Sequence, residues 1–151
     1  MKEQFVAFSA EVSGFTPFEL YGTGLTDDYL AAVIKVVGEH SLGELLDAYS
    51  KITEAQGELR ASRMRREVFG HEKLGPIARN IIKLWYIGIW EPLPQHWVER
   101  YGPLDTNTGF MVNESAYTEG LLWVAIGANP PGAKAPGYGS WAHPPQIPDF
   151  S

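Results

Sequence analysis

The sequence predicts a mainly α protein, a small helical bundle that gives way to a long extended arm rich in Pro, Gly and aromatic residues. Three observations carry that expectation. Apolar residues recur at helical spacing up to about residue 90, as in Leu30, Val33, Ile34 and Val37. Pro and Gly inside this region sit where helices begin and end. From residue 129 onward, Pro130, Pro131, Pro136, Pro144, Pro145 and Pro148 leave no room for a helix or an internal strand. Residues 1–128 are therefore read as the helical domain and 129–151 as the arm.

The first element, Glu3 to Val12, gathers Phe5, Val6, Phe8, Ala10 and Val12, and Gly14 and Pro17 are read as its end. Gly22-Thr-Gly24 makes a loop. Thr26 or Asp27 caps the next helix, and Asp27 and Asp28 suit its positive dipole end. Ser41-Leu-Gly-Glu44 reads as a capping box that opens a further helix, with Leu42, Leu45, Leu46, Tyr49 and Ile52 on one side. Glu54 to Glu67 is read as helical and mostly solvated.

Gly75-Pro76 opens the most apolar element, since proline at the first helical position sacrifices no hydrogen bond. By Leu84 this helix has no polar face left, and a helix apolar all round must be covered on all sides. Leu84 to Trp90 admits two readings: the central core helix, or a surface whose second cover comes from a partner. Pro92 and Pro94 end it. Asp105-Thr-Asn-Thr-Gly109 is a turn cluster, and Asn113 to Ile126 is the last expected helix, with Tyr117, Leu121, Val124 and Ala125 aligned and Gly127 at its end. The arm that follows carries only two charged side chains, Lys134 and Asp149, while Tyr138, Trp141, Ile147 and Phe150 space it like anchors. It is read as wrapping its own domain or lying on another protein, and its low charge favours the second.

Composition narrows the function. The net charge of −6 opposes nucleic-acid binding, which needs clustered Lys and Arg. The one basic cluster, Arg60, Arg63, Arg65 and Arg66, is bordered by Glu58 and Glu67. The chain has no cysteine, so disulfides, thiolate metal sites and iron–sulfur ligation are excluded. No apolar run is long enough to cross a bilayer. The opening residues lack the layout of a signal peptide, so either no signal is carried or this sequence begins after one.

Catalytic signatures are missing. There is no G-x-S-x-G elbow and no phosphate loop. Gly22-Thr-Gly24 lacks the third glycine of a dinucleotide fingerprint. His40, His71, His96 and His143 are never three or four residues apart, so no helical pair grips zinc, and each is read as a surface or capping histidine. Asp105 to Gly109 imitates a calcium loop, but its sixth and twelfth positions hold Phe110 and Ala116. Asn113-Glu-Ser115 has the form of a glycosylation sequon. Glu119, one turn from Trp123, is read as a solvent-facing or capping residue rather than a catalytic acid.

Two distant segments carry a resemblance. One is Ala78-Arg-Asn-Ile-Ile-Lys-Leu-Trp-Tyr-Ile-Gly88. The other runs from Ala116-Tyr-Thr-Glu-Gly-Leu-Leu-Trp123 through Pro130-Pro-Gly to Pro136-Gly-Tyr-Gly-Ser-Trp-Ala-His-Pro-Pro145. Together with Phe5 to Gly14, they resemble the small subunit of membrane-bound FAD-dependent D-sorbitol dehydrogenase. Relatives serve fructose, glucose and glucoside 3-dehydrogenases, and the family is similar to subunit 3 of gluconate 2-dehydrogenase.

The resemblance implies a non-catalytic subunit of a sugar or polyol dehydrogenase, without a cofactor of its own. It would stabilise, chaperone and co-export a large glucose-methanol-choline-type flavoprotein that holds FAD. It also implies a periplasmic location and, in many complexes, a cytochrome c subunit. The alternative is an independent aromatic-rich carbohydrate-binding module. Because interface anchors are commonly aromatic, the expected partner-facing residues are Trp85, Tyr86, Trp90 and Trp123, followed by Pro130, Pro131, Tyr138, Trp141, Pro144 and Pro145 in the arm.

Overall fold

The computed structural model describes residues 1–102, 107–128 and 130, and these form a mainly α fold. The expected arm lies outside the described residues, apart from Pro130, and so do Pro103 to Thr106.

Helix α1, Lys2–Ser13, ends at Gly14 in the left-handed conformation, with φ 80°. It buries Phe5, Val6 and Phe8. Pro17 does not merely end this element. It starts a second helix, α2, Pro17–Gly22, which the sequence reading missed. A capping box holds α2: the Glu19 N–H donates to Thr16 Oγ1 at 3.2 Å, and the Thr16 N–H donates to Glu19 Oε2 at 2.8 Å. Proline stands at the first helical position here, whereas the expected start at Gly75-Pro76 is overturned: that helix begins at Leu74, which makes Pro76 its third residue.

Helix α3, Thr26–Ile52, joins two expected helices into one element with a kink at Gly38, whose φ of 85° and ψ of 157° suit only glycine. The expected capping box at Ser41 is overturned, because the break falls three residues earlier and Ser41 is buried within the helix. Nor does Thr26 or Asp27 cap the start. Thr26 is buried inside the first turn and Asp27 pairs with Lys2 at 2.8 Å. The buried stripe centres on Tyr29, Val33 and Val36, with Leu30 and Ile34 at its edge.

Helix α4, Gly57–Arg63, continues into a π-helical turn, Met64–Phe69, that buries Met64 and Val68. Three arginines of the basic cluster are paired with glutamates. Arg60 clasps Glu11 through two nitrogens, and Arg63 and Arg66 both reach Glu67 at 3.1 Å. Tyr49 also donates to Glu11, at 2.7 Å, so α1, α3 and α4 meet at one carboxylate. Arg60 above all holds Glu11 below the usual carboxylate range, while burial and Glu11 push Tyr49 up to about 12.

Helix α5, Leu74–Ile87, runs through the core. The His71 ring nitrogen Nδ1 accepts from the N–H groups of Lys73 and Leu74 at 3.1 and 3.3 Å, a capping role for one expected capping histidine. Strand β1, Ile89–Trp90, pairs antiparallel with β2, Phe110–Met111, in the register Ile89 to Met111 and Trp90 to Phe110. Between them, α6, Gln95–Tyr101, buries Trp97, whose indole N–H donates to Lys73 O at 2.9 Å. Asn107, from the expected turn cluster, both donates to and accepts from the Leu93 backbone.

The last expected helix is split. Helices α7, Ser115–Glu119, and α8, Leu121–Ala125, meet at Gly120, which is extended. The expected alignment fails with the split: Leu121 is buried, while Tyr117 and Val124 are exposed.

Candidate functional site

The two segments that carry the resemblance touch each other. Gly88 ends α5 in the left-handed conformation, and a Cβ there would stand 2.5 Å from the Ala116 Cβ. A Cβ on Gly120 would stand 2.6 Å from Tyr86 O. Both glycines therefore let backbones approach where any side chain would intrude. This contact forces the break between α7 and α8. Asn113 secures the corner, accepting from the Ala116 N–H at 2.9 Å and donating to the Asp28 carboxylate.

Trp85 and Trp90 are both 1% exposed. Trp85 packs on Phe5 of α1 and edge-to-face on Tyr29 of α3, with ring centroids 4.9 Å apart in the second pair. Leu84 to Trp90 belongs to the core but is not one helix: α5 ends at Gly88 rather than at Pro92 and Pro94, because Gly88 turns left-handed and Ile89–Trp90 pair as β1. Trp85, on α5 beneath α1 and α3, and Trp90, on β1, are both buried in the protein's own core rather than presented at its surface. Burial is incompletely matched by hydrogen bonding here, since Tyr29 Oη and Trp85 Nε1 are buried without a protein partner. Burial, followed by the charges of Asp28 and Glu119, drives the Tyr29 phenol well above its ordinary value.

The uncovered apolar surface lies on the other side of the same corner. A groove of about 250 Å³ runs between α2 and the α7–α8 corner. Phe15, Gly120 and Leu121 line it together with Trp123, Val124 and Pro130. Tyr86 supports it from behind: its hydroxyl donates to Ser13 O at 2.7 Å and its ring packs edge-on to Phe15. Trp123 stacks edge-to-face on Tyr117 and donates its indole N–H to Tyr117 O at 2.8 Å. Of the expected partner-facing residues, Tyr86, Trp123 and Pro130 thus come together here. Pro131, Tyr138, Trp141, Pro144 and Pro145 lie outside the described residues.

The groove's flanks were not foreseen. Phe18 on α2 is 86% exposed, Val124 68% and Ile126 61%. Phe18 is not part of the lining; it stands on α2 one turn before Gly22, which is. The signal was present in Thr16-Pro-Phe-Glu19, whose helix start would have set Phe18 on an outward face. The two ionisable groups lining the groove are Glu19 and Glu119. Hydrogen bonds from the Thr16 backbone and hydroxyl hold Glu19 below the usual carboxylate range.

Gly22 ends α2 and does not open a helix after a strand, so the Gly22-Thr-Gly24 text does not form a dinucleotide cradle. Among the described residues, no group of three His, Asp or Glu is placed to hold a metal ion. No helix of the described residues is long and apolar enough to cross a membrane. No protein-family model, no curated protein and no solved structure matches this chain.

Proposed function

We propose that this chain is the non-catalytic small subunit of an FAD-dependent sugar, polyol or glycoside dehydrogenase. In this reading it stabilises and chaperones a large flavoprotein and accompanies it through export to the periplasm. FAD and the sugar site belong to that partner, a cytochrome c subunit completes many such complexes, and residues 129–151 lie on the partner as an arm.

The observation that carries the reading is apolar surface left uncovered on the two elements that form the groove: Val124 lines it, and Phe18 of α2 and Ile126 just after α8 are, like it, more than half exposed. Large apolar side chains exposed beside a groove favour an interaction site. The resemblance supplies the partner's identity. Its two segments meet at Gly88, Ala116, Tyr86 and Gly120, which gives those residues a joint packing reason to occur together.

The test is co-expression with the neighbouring large reading frame. The expected product is a yellow, stable heterodimer that reduces an artificial electron acceptor with a sugar or polyol. A chain that stays monomeric beside a fully active, independently stable flavoprotein would overturn the reading.

A second reading has its own support, because the Tyr117–Trp123 pair stands beside Thr23, Thr118 and the two glutamates of the groove. Aromatic faces with hydroxyls and carboxylates suit pyranose rings. A carbohydrate-binding module would quench tryptophan fluorescence saturably when a monosaccharide is titrated into the isolated chain.

A further inference from the structure

We infer that the groove between α2 and the α7–α8 corner is where the flavoprotein is held, by a segment carrying apolar side chains and at least one Lys or Arg. The inference rests on the reading above and gives it a place and a chemistry.

The apolar half of the argument is the exposure of the rim. Phe18 and Val124 are the two most exposed large apolar side chains among the described residues. Val124 lines the groove, and Phe18 stands on α2, the element that forms the facing wall, one turn before the lining residue Gly22. Desolvated pockets with aromatic walls are where association energy concentrates.

Charge supplies the second half. Glu19 and Glu119 line the groove, and no Lys, Arg or His does so among the described residues. Both bonds that Glu19 accepts from Thr16 go to Oε2. A second copy of this chain would bring four carboxylates face to face across a two-fold axis, which disfavours a homodimer. A partner bearing a cation meets the same groups favourably.

The groove is also preformed. Its α2 wall is fixed by the Thr16–Glu19 capping box, and its corner by Gly120 on Tyr86 and by Asn113 on Asp28. A docking segment therefore orders little of this chain, which keeps the cost of association low. Pro130 is buried in the groove wall.

The test measures the affinity of the full-length chain for the purified flavoprotein, using single substitutions at exposed positions. Phe18→Glu and Val124→Glu should each weaken binding by about tenfold or more with unchanged circular dichroism. Leu59→Glu serves as the control, because Leu59 is an apolar residue 62% exposed outside the groove, and it should bind like the parent. Glu119→Gln should weaken binding by roughly two- to fivefold at low salt and flatten its salt dependence.

Parental binding by both Phe18→Glu and Val124→Glu would overturn the groove while leaving the subunit reading intact. Absence of binding by the parent itself would remove both. A Tyr138→Ser/Trp141→Ser chain that binds more tightly than the parent would show that the chain's own C-terminal residues fill the groove, overturning the inference. Displacement of the flavoprotein by a monosaccharide at the groove would overturn it in favour of a sugar site.

Discussion

Helix α5 and the α7–α8 corner are both apolar and pack on each other, yet one is covered and the other is not. Around α5, helix α1 brings Phe5 and α3 brings Tyr29, so Trp85 is 1% exposed. Beyond Gly120, Leu121 is the one residue of α8 that is fully buried, and Val124 and Ile126 point away from the core. Apolar composition thus does not tell which surface awaits a partner. The difference lies in how many neighbouring elements reach it. The helix with the most apolar sequence is finished within the chain, and the shorter one leaves an open rim.

The comparison breaks first at the covered region. Trp85→Ala should cost about 3–5 kcal/mol in chemical denaturation, because a large buried ring leaves a cavity between three helices. A cost below about 1 kcal/mol would mean that α5 is far less enclosed than its burial states. Next comes the joint between the two regions. Gly88→Ala places a Cβ against Ala116 in a left-handed backbone conformation, and should lower stability by about 2–4 kcal/mol, read as a lower denaturation midpoint.

Smaller effects come from the surface ion pair. Glu11 has its folded pKa depressed, chiefly by Arg60. Its contribution is therefore present above the ordinary glutamate value of about 4.3, and is lost as pH falls through the lower folded value. Glu11→Gln should remove about 0.5–1 kcal/mol near neutrality and leave a flatter acid limb in a pH series of thermal melts. The open rim should respond least. Phe18→Ser is expected to change the stability of the isolated chain by no more than about 0.5 kcal/mol, with a visible gain in solubility as apolar surface is lost.

Much of the fold was legible because it follows from local chemistry. Phe5, Val6 and Phe8 before Gly14 read directly as a helix with its end, and Ile77 to Trp85 as a helix whose start at Leu74 and stop at Gly88 were misplaced. The misreadings share one cause, since a local signal was outweighed by a neighbour distant in sequence or had two meanings. Pro17 is equally a stop and a first helical residue, and only the reciprocal bonds between Thr16 and Glu19 decide. Ser41 and Glu44 have capping-box spacing, but Gly38 breaks the helix first, and Glu44 pairs instead with Lys73. The last helix splits at Gly120, where Tyr86 O occupies the space a side chain would need. Of the candidate groove, the Tyr86 and Trp123 side was readable from aromatic placement. The Phe18 side was hidden behind the misread proline.

The bond from Tyr86 to Ser13 spans 73 residues of sequence. During synthesis from the N-terminus, α1 emerges long before the helix it packs against. At about 5–20 residues per second, the interval from Phe5 to Trp85 is roughly 4–16 s. Throughout that time Phe5 has no Trp85 to pack on, and the rings that later fill the core are open to other proteins. Early exposure of α1 makes the nascent chain, before the finished fold, the species most exposed to aggregation.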